Sequence, residues 1–510
     1  MTTAVDAPAR PAESPSHGSH RSLARNAFHL VVGQASTMVL GLLFTRAIAK
    51  PLGLDGYGIY FLISSFSAFA LVLVDWGQQY FGIREVARTP ERGPELLGTG
   101  LILRALGTAL VCFPVAFAAW ALHYEPRTIH FSVAFLILNL PFFLAQGFGI
   151  VFRGRERMGL DAIVSVVNRA GALVLVYVAI KLGFKLSGVL VAQGLGGSLA
   201  LLTAVFLYRR IGGGRLHASV ATAREILVGG TAIVAIGLAV YVQPYIDAVL
   251  LSKLVPLHVL GWYGAAKTLM GTLLAPALIL GTAAYPRLAR VSRDPAHFRR
   301  EFAIAQRPML WLGGLGGVGT WMFADFAIRL IYPNRDFAQA SQILRVYGLA
   351  MFLIFVDVLI GTALTAVNKA TQFAVVKIGS VIFAIVLEML LIPRFQAQMG
   401  NGGIGVTLAA AISELVMLVG GLALLPPGSV DPAVFKDGGR TLISAVLTGV
   451  VIFLARPLGP WLGIPLCVVV FTAFSIVTGL VRRTDLQLVR ALAGGPTPSL
   501  APGAEAVGSK

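Results

Sequence analysis

A chain of 510 residues with 56% hydrophobic and only 13% charged residues, and a mean hydropathy of +0.80, does not have the composition of a water-soluble protein, in which charged residues make up about 25%. Its net charge of +18 does not point to nucleic acid. No polar domain carries a basic face, and the basic residues lie in short loops between apolar runs, where they act as topology signals.

The chain opens with "MTTAVDAPARPAESPSHGSH", rich in Pro, Ala and Ser, so residues 1–22 are expected to form a disordered cytoplasmic tail. The first apolar run is of full spanning length and carries no cleavage pattern, so it is expected to remain as a span. Runs of about 20 apolar residues suffice to cross a bilayer. Fourteen are expected, near 25–49, 57–83, 97–122, 129–152, 160–181, 187–208, 226–252, 262–285, 304–324, 341–367, 370–392, 403–425, 440–455 and 460–481. Loops at alternate ends of these spans hold Arg84, Arg88 and Arg92, then Arg153, Arg155 and Arg157, then Arg209, Arg210 and Arg215, then Arg287, Arg290 and Arg293. This bias places both termini in the cytoplasm. Cys112 and Cys467 sit within apolar runs, where a structural disulfide is not expected. No His/Cys cluster has metal-ligand spacing, and no metal or cofactor is expected.

One pattern occurs twice. "FTRAIAKPLGLDGYGIYFLISSF" (Phe44–Phe66) and "LLSKLVPLHVLGWYGAAKTLMGTL" (Leu250–Leu273) share an apolar run, a Pro, a Gly and a Tyr-Gly. "IREVARTPER" after span two resembles "YPRLARVSRDP" after span eight, and "SGVLVAQGLGGSLALL" resembles "IGVTLAAAISELVMLV". Three echoes in one order indicate a six-span unit used twice. Because six is even, the halves run parallel. The expected organisation is an all-α membrane protein: an N-terminal six-helix bundle (23–210), a cytoplasmic linker (211–225), a second six-helix bundle (226–425), then a helix pair and cytoplasmic tail (426–510).

The first hairpin, "DWGQQYFGIREVAR", and the stretch containing Asp247, Gly261, Tyr263, Ala266 and Pro286 resemble the polysaccharide flippases of the multidrug/oligosaccharidyl-lipid/polysaccharide exporter superfamily. The resemblance covers spans one to twelve. It implies two bundles around a central, typically cationic cavity, and alternating-access transport of an undecaprenyl-diphosphate-linked oligosaccharide or related lipid-linked glycan from inner to outer leaflet. It also implies residence in a bacterial plasma membrane. The expected partners are that glycan, membrane lipids, and glycan polymerase or other assembly proteins, with no nucleic acid.

An ionisable group inside a span is costly and is a functional candidate by default. Here these are Asp75, Arg104, Arg169, Asp247, Lys267, Arg345, Asp357, Lys377, Glu388 and Glu414, with Arg46 near the outer end of span one. Arg104 and Arg345 lie near expected span ends, where long side chains snorkel to the interface. Arg169 and Lys267 lie deeper. With Arg46 they are the candidates for a substrate path, since fixed cations offset the desolvation of a diphosphate; a structural ion pair is the alternative. Asp75, Asp247, Asp357 and Glu388 are candidates for coupling or gating, or for pairing with basic residues on neighbouring spans. Gln243 and Asp247 share a helix face beside Pro244, which is expected to kink span seven. Tyr57 and Tyr263 read as interfacial aromatics. A drug or cation antiporter of the same superfamily has the same architecture. A polytopic glycan polymerase or ligase needs reactive groups beside a sizeable outer loop, and the longest outer segment, about Asp325 to Ala340, is short; the chain is not read as an enzyme.

Overall fold

The computed structural model describes residues 17–241 and 243–481. The expected tails therefore lie largely outside the described residues. Every regular element among the described residues is helical. In chain order these are α1 (His17–Asp75), α2 (Gln78–Arg88), α3 (Gly93–Ala121), α4 (Pro126–Leu138), α5 (Leu140–Gly147), α6 (Gly149–Gly154), α7 (Met158–Lys181), α8 (Leu186–Arg210) and α9 (Val220–Tyr241). There follow α10 (Gln243–Leu254), α11 (Leu257–Leu273), α12 (Ala275–Arg290), α13 (Pro295–Ile331), α14 (Ala340–Ala366), α15 (Ala370–Met399), α16 (Gly402–Leu424), α17 (Ala433–Leu454) and α18 (Gly459–Val477). In lipid the backbone must satisfy its own polar groups, which a helix does within one segment.

Among the described residues, 11 helical stretches are long and apolar enough to cross a membrane, and the protein is a multi-pass membrane protein. Three features separate this number from the fourteen spans expected. α1 has 59 residues, about 90 Å of helix against a hydrocarbon core of about 30 Å. It bends at Gly53, whose φ of 66° and ψ of −175° are not helical, so it holds two spans. The seventh expected span is divided into α9 and α10 at Val242, which with the Pro244 side chain lies outside the described residues. α13 is 37 residues long, but Trp311, Trp321 and the run of glycines from Gly313 to Gly319 dilute its hydropathy.

The chain forms two compact units. The first comprises the chain up to Leu52 together with Ile63–Leu238. Its core gathers Leu97, Phe148, Phe152, Ala200, Ala204 and Tyr208 from α3, α5–α6 and α8. The second comprises Gly53–Leu62 and the chain from Ala239 onward. There α13, α14 and α16 pack side by side, α15 packs on α16, and α17 and α18 pack on α13 through Val318, Ile452, Cys467 and Phe471. α13 starts with Asp294 as its cap, the carboxylate accepting from the backbone N–H of Ala296 at 3.0 Å and His297 at 3.1 Å. Those donors, the first of them His297, hold the Asp294 carboxyl below its ordinary value of 3.8.

The repeated sequence pattern has a physical counterpart inside the second unit. A Cβ on Gly58 would lie 2.5 Å from the Leu257 carbonyl oxygen, and one on Gly261 would lie 2.6 Å from the Leu54 carbonyl oxygen. The first copy of the pattern thus crosses the second with backbone against backbone, each glycine removing the side chain that would hold the two apart.

Candidate functional site: buried charges in each unit

In the first unit, Arg104 of α3 is 0% exposed. It ion-pairs with Asp75 at the end of α1 and donates to the Phe143 carbonyl at 3.2 Å. This differs from the interfacial position expected for Arg104. The helix starts at Gly93 rather than near 97, which sets Arg104 a turn deeper, and the acid that neutralises it stands on the preceding span. Asp75, a coupling candidate, is therefore held by a single matched cation.

The path candidates are placed differently. Arg46 is exposed on the first arm of α1. Arg169 is exposed in the middle of α7, and no acid among the described residues pairs with it. On a helical wheel, Ile163, Val174, Tyr177 and Val178, which are exposed, fall within about 100° of one another. Arg169 lies about 130° from the middle of that apolar face, toward Ser165. Lys267 is not free. Its Nζ lies 3.5 Å from Asp247 Oδ2 and 5.7 and 5.4 Å from the ring centroids of Tyr263 and Tyr347, within cation–π range.

The second unit gathers most of the remaining candidates. Asp247 of α10 is 1% exposed; its Oδ2 accepts from the Tyr263 hydroxyl at 2.7 Å, and Tyr347 in turn contacts Tyr263 at 3.2 Å. Glu388 of α15, fully enclosed, stands beside Asp247 and within electrostatic reach of Lys267. The Glu388 and Asp247 carboxyls stand within hydrogen-bonding reach of each other, and no other side chain among the described residues donates to the Glu388 oxygens or to Asp247 Oδ1. A second group repeats the arrangement: Asp357 Oδ2 of α14 lies 3.3 Å from Lys377 Nζ of α15, with Glu414 of α16 close enough to interact with both. Asp357 Oδ1 and Glu414 Oε2 are likewise enclosed without a donor. Four carboxyls, those of Asp247, Glu388, Asp357 and Glu414, thus face two ammonium groups, those of Lys267 and Lys377.

Buried tyrosines complete the site and differ from the expectation. Tyr57 and Tyr263 are 2% and 0% exposed, not interfacial. Tyr57 meets the Tyr332 hydroxyl at 3.1 Å and packs edge-on to Phe337. Their glycine-rich neighbourhood, which lets helices close up, was the signal that they lie inside. Arg345 pairs with Asp325 at the end of the bundle. Among the described residues no three His, Cys, Asp or Glu side chains converge as metal ligands.

The family described as "Polysaccharide biosynthesis protein" matches residues 23–292, more than half of the sequence. The chain belongs to this family. No curated protein matches it by sequence at a significant level. The fold of this family member is similar to that of the lipid II flippase MurJ in an inward closed conformation, with a TM-score of 0.72 at 14% identity over 88% of this chain and 98% of that one. It is also similar to an inward-facing MATE family multidrug resistance transporter of the MOP superfamily, with a TM-score of 0.61 at 12% identity over 80% and 99% of the two chains. A Pyrococcus furiosus MOP superfamily transporter described as having a binding pocket of reverse polarity matches with a TM-score of 0.56 at 13% identity, over 81% and 99%. The family member thus shares the helical fold of these membrane transporters.

Proposed function

We propose that the protein is a flippase that carries an undecaprenyl-diphosphate-linked oligosaccharide, or a related lipid-linked glycan, from the inner to the outer leaflet of a bacterial plasma membrane by alternating access. Both termini are cytoplasmic in this reading, and the glycan is handed to polymerase or other assembly proteins. Family membership supports the substrate class. The observation that carries the reading is Arg169: a cation at mid-span, without an acid partner and turned away from the apolar face of its helix. A guanidinium there is costly facing lipid and favourable facing a passing diphosphate, which it can bind in bidentate fashion.

The test is glycan export in cells and flipping of a lipid-linked diphosphate glycan in reconstituted vesicles. Arg169→Ala should lower both by about tenfold or more, a loss of ~1.4 kcal/mol or more in transition-state stabilisation, with protein level in the membrane unchanged. Arg169→Lys should retain more than Arg169→Ala. Unchanged flipping by Arg169→Ala would remove the reading.

The acid surplus of the second unit favours a coupling ion over an antiporter's organic cation. Its carboxyls are enclosed, so they admit a proton rather than a drug-sized cargo. A buried excess of carboxyls over ammonium groups is tolerated only when such an ion neutralises it. Asp247, Glu388, Asp357 and Glu414 are therefore assigned to coupling, with Lys267 and Lys377 as resident countercharges. Lys267 accordingly passes from the path to this group.

A further inference from the structure

We propose that the apolar groove between α13, α14 and α17 is a binding site for one anionic phospholipid of the membrane, its phosphate on Arg456 and one acyl chain along the groove. This site is separate from the transport machinery assigned above. The groove has a volume of about 570 Å³, within the range of small-molecule sites. Gly317, Trp321, Phe352, Val446, Gly449 and Arg456 line it. α14 and α17 each pack on α13, and the groove is the space left between those two contacts.

Length and charge select the occupant. Along α17 the lining runs from Thr441 to Leu454, about 20 Å of helix, comparable with one leaflet of a ~30 Å hydrocarbon core. A polyisoprenoid much longer than a leaflet would leave most of its length outside. The charged residue in the lining is Arg456, at the mouth. It is exposed, stacks on the Phe453 ring at 4.3 Å, and has no acid partner among the described residues. No carboxylate lines the groove, and Asp325, one turn beyond Trp321 on α13, is already held by Arg345. The mouth thus offers an anionic headgroup a cation and offers the ammonium of a zwitterionic headgroup nothing. Trp461, exposed and packed edge-on to Phe326 at 5.2 Å, lies at the same end of the helix pair. An exposed indole there marks the interfacial level at which a phosphate sits. A chain seated in the groove bridges α14 to α17 and fastens the last helix pair to the bundle.

The experiment places the full-length protein in vesicles containing phosphatidylglycerol, or in parallel phosphatidylcholine, with a photoreactive diazirine on one acyl chain, and maps the labelled peptides by mass spectrometry. Label is expected on Trp321, Leu349, Val446 and Val450, about fivefold more from phosphatidylglycerol, as one lipid–cation contact provides. Arg456→Ala should remove that preference. Gly449→Trp should remove groove labelling from both lipids; a Cβ at Gly449 meets only Val318 at 3.7 Å, so the ring is directed into the groove. Thermal unfolding checks that both variants are folded; should Gly449→Trp fail, Arg456→Ala decides alone. Equal labelling by the two lipids, label spread evenly over the apolar faces of α15 and α18, or displacement of the phospholipid by an added polyprenyl diphosphate would each overturn the proposal. So would groove residues protected by cross-links to a second copy of the chain. None of these outcomes depends on whether the protein flips a glycan.

Discussion

The two units bury charge in opposite ways. In the first, Arg104 meets Asp75 and a backbone carbonyl, one cation for one acid. In the second, each Asp–Lys pair is joined by an extra glutamate, Glu388 beside Asp247 and Glu414 beside Asp357, and several of their oxygens lack a donor. A balanced pair carries no surplus charge to be neutralised, although Arg104 Nε is enclosed without an acceptor, and it holds two helices in register. An unbalanced group requires an ion, and its charge state can change. The first arrangement is a latch, and the second is suited to coupling.

The largest effect should come from breaking the latch. Arg104→Ala leaves Asp75 without its partner, and removing one member of a buried pair costs about 3–5 kcal/mol. Thermal unfolding in nanodiscs should show that loss, and the double variant Asp75→Leu, Arg104→Leu should recover most of it. If the single variant is as stable as the parent, the pair is no latch.

Transport variants sharpen the other side. Glu388→Gln removes one of the surplus acids without removing a partner. Stability should be unchanged or raised, while the dependence of flipping rate on an imposed proton gradient should fall by about an order of magnitude, ~1.4 kcal/mol of coupling. Lys267→Met should lose coupling and also destabilise, since it leaves Asp247 and Glu388 together. A gradient dependence that survives both changes would separate the cluster from coupling.

A third test concerns packing. Gly261→Val forces a branched side chain into a gap of 2.6 Å against the Leu54 carbonyl oxygen, and overpacking of this kind costs about 1–3 kcal/mol. Gly439→Ala on α17, where a Cβ meets nothing within 4 Å, should be silent in the same unfolding assay. The smallest effect is that of Asp294→Ala, read as faster amide exchange at Ala296 and His297 on an otherwise native protein. Because the folded-state carboxyl titrates below its ordinary value, the cap's contribution is complete above about pH 4 and fades as pH falls further. A cap contribution that instead grows with acidification would contradict the assignment.

Much of this was legible in the sequence, and what was not has one cause. The helices, the family and the list of intramembrane charges follow from apolar length and from where Asp, Glu, Lys and Arg interrupt it. The repeated pattern around Tyr57 and Tyr263 also stood out, although its purpose, a backbone crossing at Gly58 and Gly261, needed coordinates. Position along a span measures depth, but not direction around the axis. In helices apolar on every side the sequence carries little directional signal. Hence Arg104 read as a snorkelling residue and Lys267 stayed open between the path and an ion pair, when each faces an acid on the span before it. Arg169 is picked out by its depth alone; it is exposed on α7, and of the residues one turn away, Ser165, Val166, Ala172 and Leu173, only Ser165 is polar.

That adjacency bears on how the chain enters the membrane. Asp75 and Arg104 are 29 residues apart, and Asp247–Lys267 and Asp357–Lys377 are each 20 apart, so each partner is made on the next span. At a synthesis rate of about 5–20 residues per second, the second charge follows the first from the ribosome within about 1–6 s. A lone span carrying Arg104 or Lys267 partitions poorly into lipid. A helical hairpin with its charges already matched partitions as an apolar object. The ion pairs thus make two-helix units the quanta of insertion, and the order of the genetic message supplies each cation with its counterion just before it is needed.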